Sequence, residues 1–204
     1  MGDFMTETLG YEVEKKDGDF EIRRYGDHIL AHVDVEASFD HAMNQGFSIL
    51  AHYIFGGNKK RSSIEMTTPV QEEKASSEKI PMTAPVTEET LNKSEKIRMT
   101  TPVTEEKTGN LHRISFIMPS KYTMETLPEP EDKQINFEEV KDEKMAALRF
   151  KGRVKEKLAA NKIEEMKKWL KENNIQQKSN FIVAQYNNPA VPGFLRRNEI
   201  LVEI

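Results

Sequence analysis

Three kinds of side chain in this sequence carry chemistry at suggestive spacing: paired glutamates, close histidines and a series of methionines. The glutamates are Glu72–Glu73, Glu88–Glu89 and Glu105–Glu106. Two neighbouring carboxylates can act as acid and base once an apolar wall raises the pKa of one of them. These pairs, however, are copies of one phrase: IEMTTPVQEE from Ile64, IPMTAPVTEE from Ile80 and IRMTTPVTEE from Ile97. Each follows a proline, and the pairs are expected to sit in solvated loops with no such wall. No nucleophile elbow, P-loop, HExxH or GxGxxG motif occurs either. The chain is not expected to be an enzyme.

His28 and His32 have the i, i+4 spacing that chelates a metal on a helix. Their surroundings alternate apolar and polar, which predicts a strand, where four residues span ~13 Å. Both are expected to face solvent rather than share an ion. His41 and His52 fall on the polar side of a helix, and His112 lies beside a turn with no evident partner. No metal site is expected. Met66, Met82 and Met99 read as strand-spaced core, with soft ligands or a pliable lining for a flat apolar guest as the alternative.

The elements that must hold these groups follow from periodicity. In each repeat the Ile, the Met and the residue before proline share a strand face. Proline, lacking an N–H, is expected to end the pairing. Residues 11–15 and 20–25 alternate around Lys16-Asp17-Gly18-Asp19, a hairpin signal, and 28–36 form a third strand. Ser38 is placed to cap a helix with Phe39, Ala42, Met43, Gly46, Leu50, Tyr53 and Ile54 at helical spacing, stopped by Gly56-Gly57-Asn58. A strand over 111–118 and a linker over 126–133 come next. Strands at 135–140 and 144–150, a helix from about 154 to 173 and strands at 181–186 and 199–204 complete the chain. The order predicts an α+β fold: a distorted antiparallel β-barrel flanked by two helices and built from a duplicated ββαββ unit. The halves are about 11–118 and 135–204, with a repeat insertion within 64–106. Residues 1–9 read as a flexible lead-in to a single domain over 10–204. The middle copy, with Pro81 inside its strand, is expected at an edge or outside the barrel. Residues 97–103 are expected to pair with the strand at 111.

With 204 residues, 37% hydrophobic and 31% charged, the chain suits one domain or two small fused halves. A net charge of −4 argues against nucleic acid as a partner. There is no cysteine, which removes disulfides and thiolate chemistry and is compatible with a reducing compartment. No run nears the ~20 apolar residues of a membrane span. MGDFMT fits the permissive myristoylation template, read here as a chance match. A cytoplasmic protein without membrane attachment is expected.

On the first helix, Phe47 and Ala51 fall roughly 80–120° from the centre of the apolar stripe at ~100° per residue. They either line a shallow apolar groove or pack beneath a neighbouring loop. The basic face of the second helix (Lys155, Lys157, Lys162, Lys167, Lys168, Lys171) is interleaved with Glu156, Glu164 and Glu165 and reads as a salt-bridged solvent face.

YEVEKK with FEIRRYG, YIFGGN, the MTTPV and MTAPV phrases, FIMPSKYTMETLPEP and FLRRNEILVEI, in this order, resemble the SOUL haem-binding protein family from about Tyr11 to Ile204. The resemblance implies reversible binding of haem or another tetrapyrrole in an apolar surface pocket, for transport, buffering or scavenging. The family's pocket maps here to Asn44, Phe47, Ala51 and His52 on the first helix, and to Val191 and Phe194 near the terminal loop. Arg24 stands where some members carry a histidine, and Val191 where a propionate-binding base is proposed. Binding without strong axial ligation is therefore expected, with Arg24, Lys59, Lys60 or Arg196 available to a propionate. The alternatives are a protein-interaction module, whose acidic loops or groove engage a protein partner, and an effector-binding domain for another amphipathic small molecule.

Overall fold

A computed structural model describes residues 7–59, 94–187 and 191–204. The first two copies of the repeated phrase, with Met66, Met82, Lys60 and the expected edge position of the middle copy, lie outside the described residues. Nine strands form one antiparallel sheet. In chain order they are β1 (Tyr11–Asp17), β2 (Phe20–Tyr25), β3 (His28–Glu36), β4 (Val103–Thr108), β5 (Leu111–Ile117), β6 (Asn136–Val140), β7 (Glu143–Lys151), β8 (Ile182–Gln185) and β9 (Arg197–Glu203). Helix α1 (Phe39–Ile54) follows β3 and helix α2 (Glu156–Glu172) follows β7.

Their order across the sheet is β6-β3-β5-β4-β8-β9-β7-β2-β1. Two connections force it to curl. Gly26 and Asp27 alone join β2 to β3, and Lys141 and Asp142 alone join β6 to β7. In each case the joined strands are six places apart in the sheet. A flat sheet would separate them by ~29 Å at ~4.8 Å per strand, but the chain between them reaches only ~11 Å. The sheet must wrap until both seams close, which gives the curled barrel flanked by helices. The strand order is also symmetric about the β4–β8 contact, with β2, β3, β4 and β5 answering to β6, β7, β8 and β9. The equivalent units begin at Phe20, so β1 is an additional hairpin strand rather than the first member of a half.

Alternation gives the long strands β3, β5, β7 and β9 two buried faces, because helices cover the outside and the curl encloses the inside, whereas β1 and β6 are largely exposed. Outside, α1 packs Ala42, Leu50, Tyr53 and Ile54 against Ala31, Val33, Ile114 and Phe116. α2 packs Ala159, Met166, Trp169 and Leu170 against Ala146, Leu148, Ile200 and Val202. Each buried Val, Leu, Ile, Met or Phe among them contributes about 1.5–3 kcal/mol by leaving water. Lys162–Glu165, Lys167–Glu164 and Lys168–Glu172 pair along the outer face of α2, the salt-bridged solvent face that its charge pattern predicts. Ser38 holds the N-cap position of α1, but its hydroxyl makes no capping bond. The stop at Asn58 is firmer. Its amide donates to the Tyr53 carbonyl at 2.6 Å and the Glu95 carbonyl at 2.8 Å, and its oxygen accepts from Glu95 N–H at 2.8 Å.

Two expectations about the third repeat are corrected. The partner of β5 is not 97–103 but Val103–Thr108, the segment read as an acidic loop. Proline excludes only its own residue from the ladder, and pairing starts immediately after Pro102. Thr100–Thr101 instead pair in parallel with Glu7–Thr8, so part of the N-terminal lead-in is tied to the fold. Within the linker, Leu127 is fully buried and acts as an anchor.

Candidate functional site

Helical spacing turns Gly46 straight at the sheet, where a Cβ would lie 2.4 Å from Ile114 Cγ1. With no side chain there, α1 sits close on β5, and its next stripe, Met43 and Phe47, is left half-buried at the margin. Phe47 meets Phe116 edge-on, with ring centroids 5.4 Å apart. Beside them runs a groove of about 380 Å³. Phe39, Met43, Phe47, Val103 and Val154 supply its apolar lining. Asn44 and Gln185 add amides, and Arg153, Lys155 and Arg196 outweigh Asp40 in charge. Arg196 is held in place by donating from Nε to the Val191 carbonyl at 2.7 Å. An apolar wall with three cations suits a flat molecule bearing carboxylates.

Of the expected site residues, Asn44 and Phe47 line this groove. Ala51 is half-buried and His52 exposed, both further along α1 and outside the lining; His52 packs on Gly57, where a Cβ would approach its ring to 2.3 Å. Val191 contributes through its carbonyl, and Phe194, 72% exposed, stands outside the lining in the Gly193–Leu195 turn that packs on Arg153. Among the expected cations that are described, Arg24, Lys59 and Arg196, only Arg196 reaches the groove. Arg24 is engaged elsewhere, by Glu14 at 3.0 Å and Asp142 at 3.0 Å.

The histidine and glutamate expectations change most. His32 is 7% exposed and so does not face solvent, while His28 is half-buried; burial lowers the pKa of both. His28 Nδ1 lies 2.9 Å from the Gly26 carbonyl. His112 does have a partner, for its Nδ1 sits 2.6 Å from Glu105 Oε1, with both side chains buried. Burial raises the Glu105 pKa, and the hydrogen bond from His112 pulls it partly back. Because strand neighbours point to opposite faces, Glu105 goes under α1 while Glu106 enters the barrel. They are no dyad, but they are not loop residues either. Met99 is half-buried against the α1 core, the packing reading for that methionine.

Inside the barrel lies a charge network that residue spacing did not reveal. Arg23, fully buried, donates to Glu199 at 2.7 and 3.0 Å, to Glu21 at 2.8 Å and to the Tyr25 hydroxyl at 3.0 Å. Arg197 adds a bond to Glu199 at 2.7 Å, and the Tyr186 hydroxyl donates to the same carboxylate at 2.6 Å. Burial opposes every charge here, but the Arg23 bonds hold the Glu199 carboxyl below its ordinary range, and burial pushes the Tyr25 phenol up to about 12. Alternation did hold the signal, since Glu21, Arg23 and Tyr25 share the strand face opposite Phe20 and Ile22.

Among the described residues no helix is long and apolar enough to cross a membrane. The fold resembles several solved structures. The EcmrR C-terminal domain superposes with a TM-score of 0.59 at 9% identity, over 95% of this chain and 96% of that one. A hydrolase from Listeria innocua superposes with a TM-score of 0.52 at 10% identity, over 93% of each chain. At such identities the likeness is one of fold alone. No curated protein matches the sequence. The model of the family described as SOUL heme-binding protein, in contrast, matches residues 6–203. With nearly the whole chain matched, and with the curled barrel and two helices in place, the protein belongs to the SOUL heme-binding family.

Proposed function

We propose that the α1 groove holds haem or a related tetrapyrrole, and that the chain, as one binding domain from residue 10 onward, buffers or carries that ligand in the cytoplasm rather than transforming it. The observation that carries this reading is the pairing of an apolar wall (Phe39, Met43, Phe47, Val103) with Arg153, Lys155 and Arg196. The ring would lie against the wall and its propionates would meet the cations. Burial of ring area at about 25 cal/mol per Å², less the cost of association, supplies most of the affinity. The described lining contains no imidazole or phenol, and Met43 is its one soft donor. Enclosure rather than axial ligation is the expected mode, and metal-free protoporphyrin should bind about as well as haemin. Ala51, His52 and Phe194 would then act at most on the periphery.

Titration with haemin, followed by Soret absorbance and Trp169 fluorescence, tests the reading. Saturable binding at micromolar haemin is expected, and Phe47→Asp should abolish it with the far-UV spectrum intact. Absence of a saturable Soret change, or unchanged affinity in Phe47→Asp, overturns the groove assignment.

A further inference from the structure

The barrel holds a second cavity, separate from the α1 groove and on the opposite face of the sheet. Its volume is about 340 Å³, and every strand except β1 contributes to its wall. Leu30, Ile117, Met145, Ile182 and Leu201 make the wall largely apolar, and Tyr25 and Tyr186 add aromatic rings. Four carboxylates face the same space: Glu106 from β4, Glu138 from β6, Glu143 from β7 and Glu203 from β9. The opposing cation in the lining, Arg113, is already bound in a fork to Asp34 at 2.8 and 3.0 Å. Glu138 stands 3.8 Å from Arg113, and Glu106 accepts a hydrogen bond from Asn180 at 2.9 Å. On the same face of β3 as His28 and Leu30, the buried His32 has no hydrogen-bond partner for Nδ1 among the described residues.

We propose that this interior cavity is a binding site for a small amphipathic cation, such as an alkyl- or arylammonium, whose apolar body fills the barrel and whose charge sits among Glu106, Glu138, Glu143 and Glu203. Apolar walls and aromatic faces draw in the body, and carboxylates in a partly desolvated space favour a positive head. The arrangement selects against the carboxylate-bearing guest proposed for the α1 groove, whose rim is basic. Two ligands of opposite charge would thus occupy opposite faces of one sheet.

The charge state of the site makes the test specific. Burial, with Glu203, Glu138 and Glu106 nearby, pushes the Glu143 carboxyl up to about 7. An entering cation stabilises its ionised form, so binding near pH 7 releases protons. Benzyltrimethylammonium is the probe, and its uncharged carbon isostere, neopentylbenzene, is the control. Isothermal titration of the full chain in two buffers of different ionisation enthalpy reads both affinity and proton release. Saturable binding of the cation is expected, at least tenfold tighter than that of the isostere, with proton release that disappears in Glu143→Gln. Leu30→Trp should fill the cavity and remove cation binding while haemin titration is unchanged; that unchanged titration shows the variant folded. Phe47→Asp should leave cation binding intact. No saturable binding up to millimolar probe, equal affinity for the isostere, or loss of cation binding in Phe47→Asp overturns the proposal.

Discussion

The glutamates of this chain show how little a residue's type says until its strand face is known. Glu105 and Glu106 are neighbours, yet one is buried against His112 and the other enters an acidic cavity. Glu143, on the same cavity, has a measurable consequence. Its folded pKa of about 7 lies above the ordinary 4.5. Between those values the native chain keeps a proton that the unfolded chain has released, so stability falls as pH rises through this window. A tenfold difference in proton affinity between the folded and unfolded chain is worth ~1.4 kcal/mol. The loss is therefore at most about 3 kcal/mol at pH 8, and less where water reaches the cavity. Glu143→Gln mimics the protonated form. It should melt near the parent at pH 5 and distinctly higher at pH 8, and an equal shift at both values would rule out this account. None of this was legible from residue spacing. Glu105 and His112 meet only because the β4–β5 hairpin register sets 105 opposite 114, and a one-residue slip would exchange every inward and outward side chain.

At the level of elements, the sequence was most legible where one periodicity ran unbroken. Strands β2 and β3 begin and end where alternation places them, and the stripe of α1 is the face that packs. Pro102 was misleading, because an element expected to end there instead begins. Alternation also failed to distinguish a solvated polar face from one enclosed by a barrel, as at Arg23. On α1 the angle to the stripe singled out Phe47, which lines the groove, but also Ala51, which does not, and Arg153 and Val154 come from a segment that only tertiary contact brings near. The depth of that groove depends on how closely α1 sits on β5, and therefore on Gly46. In an exposed helix, Gly→Ala stabilises by about 1 kcal/mol. Here the added methyl would fall 2.4 Å from Ile114 Cγ1, and overpacking of this kind typically costs about 1–3 kcal/mol. Gly46→Ala should therefore lower the urea midpoint, against its helix propensity, and Ile114→Ala in the same chain should cost less than it does alone. A stabilised single variant would mean that α1 can lift without penalty.

For the molecule as a whole, the decisive feature is that each half lends its first strand to the other. β2 pairs with β7 and β6 with β3, while β4 and β8 join the halves at the centre. Neither half can complete its sheet alone: without the other, residues 135–204 would leave β6 unpaired and expose one side each of β7 and β8. The segment between the halves is in contrast largely exposed around residues 131–134, with Leu127 as its buried anchor. Covalent continuity there contributes mainly by shortening the search for partners, an entropic term that varies slowly with loop length, whereas the cross-half ladders and the interior network hold the assembly. A chain cut genetically after Lys133, with both pieces co-expressed, should purify as one complex, elute at the size of the intact chain and retain cooperative melting. Each piece alone should show none. A separately folded, cooperatively melting fragment 134–204 would show that the halves are autonomous and that their strand exchange is incidental.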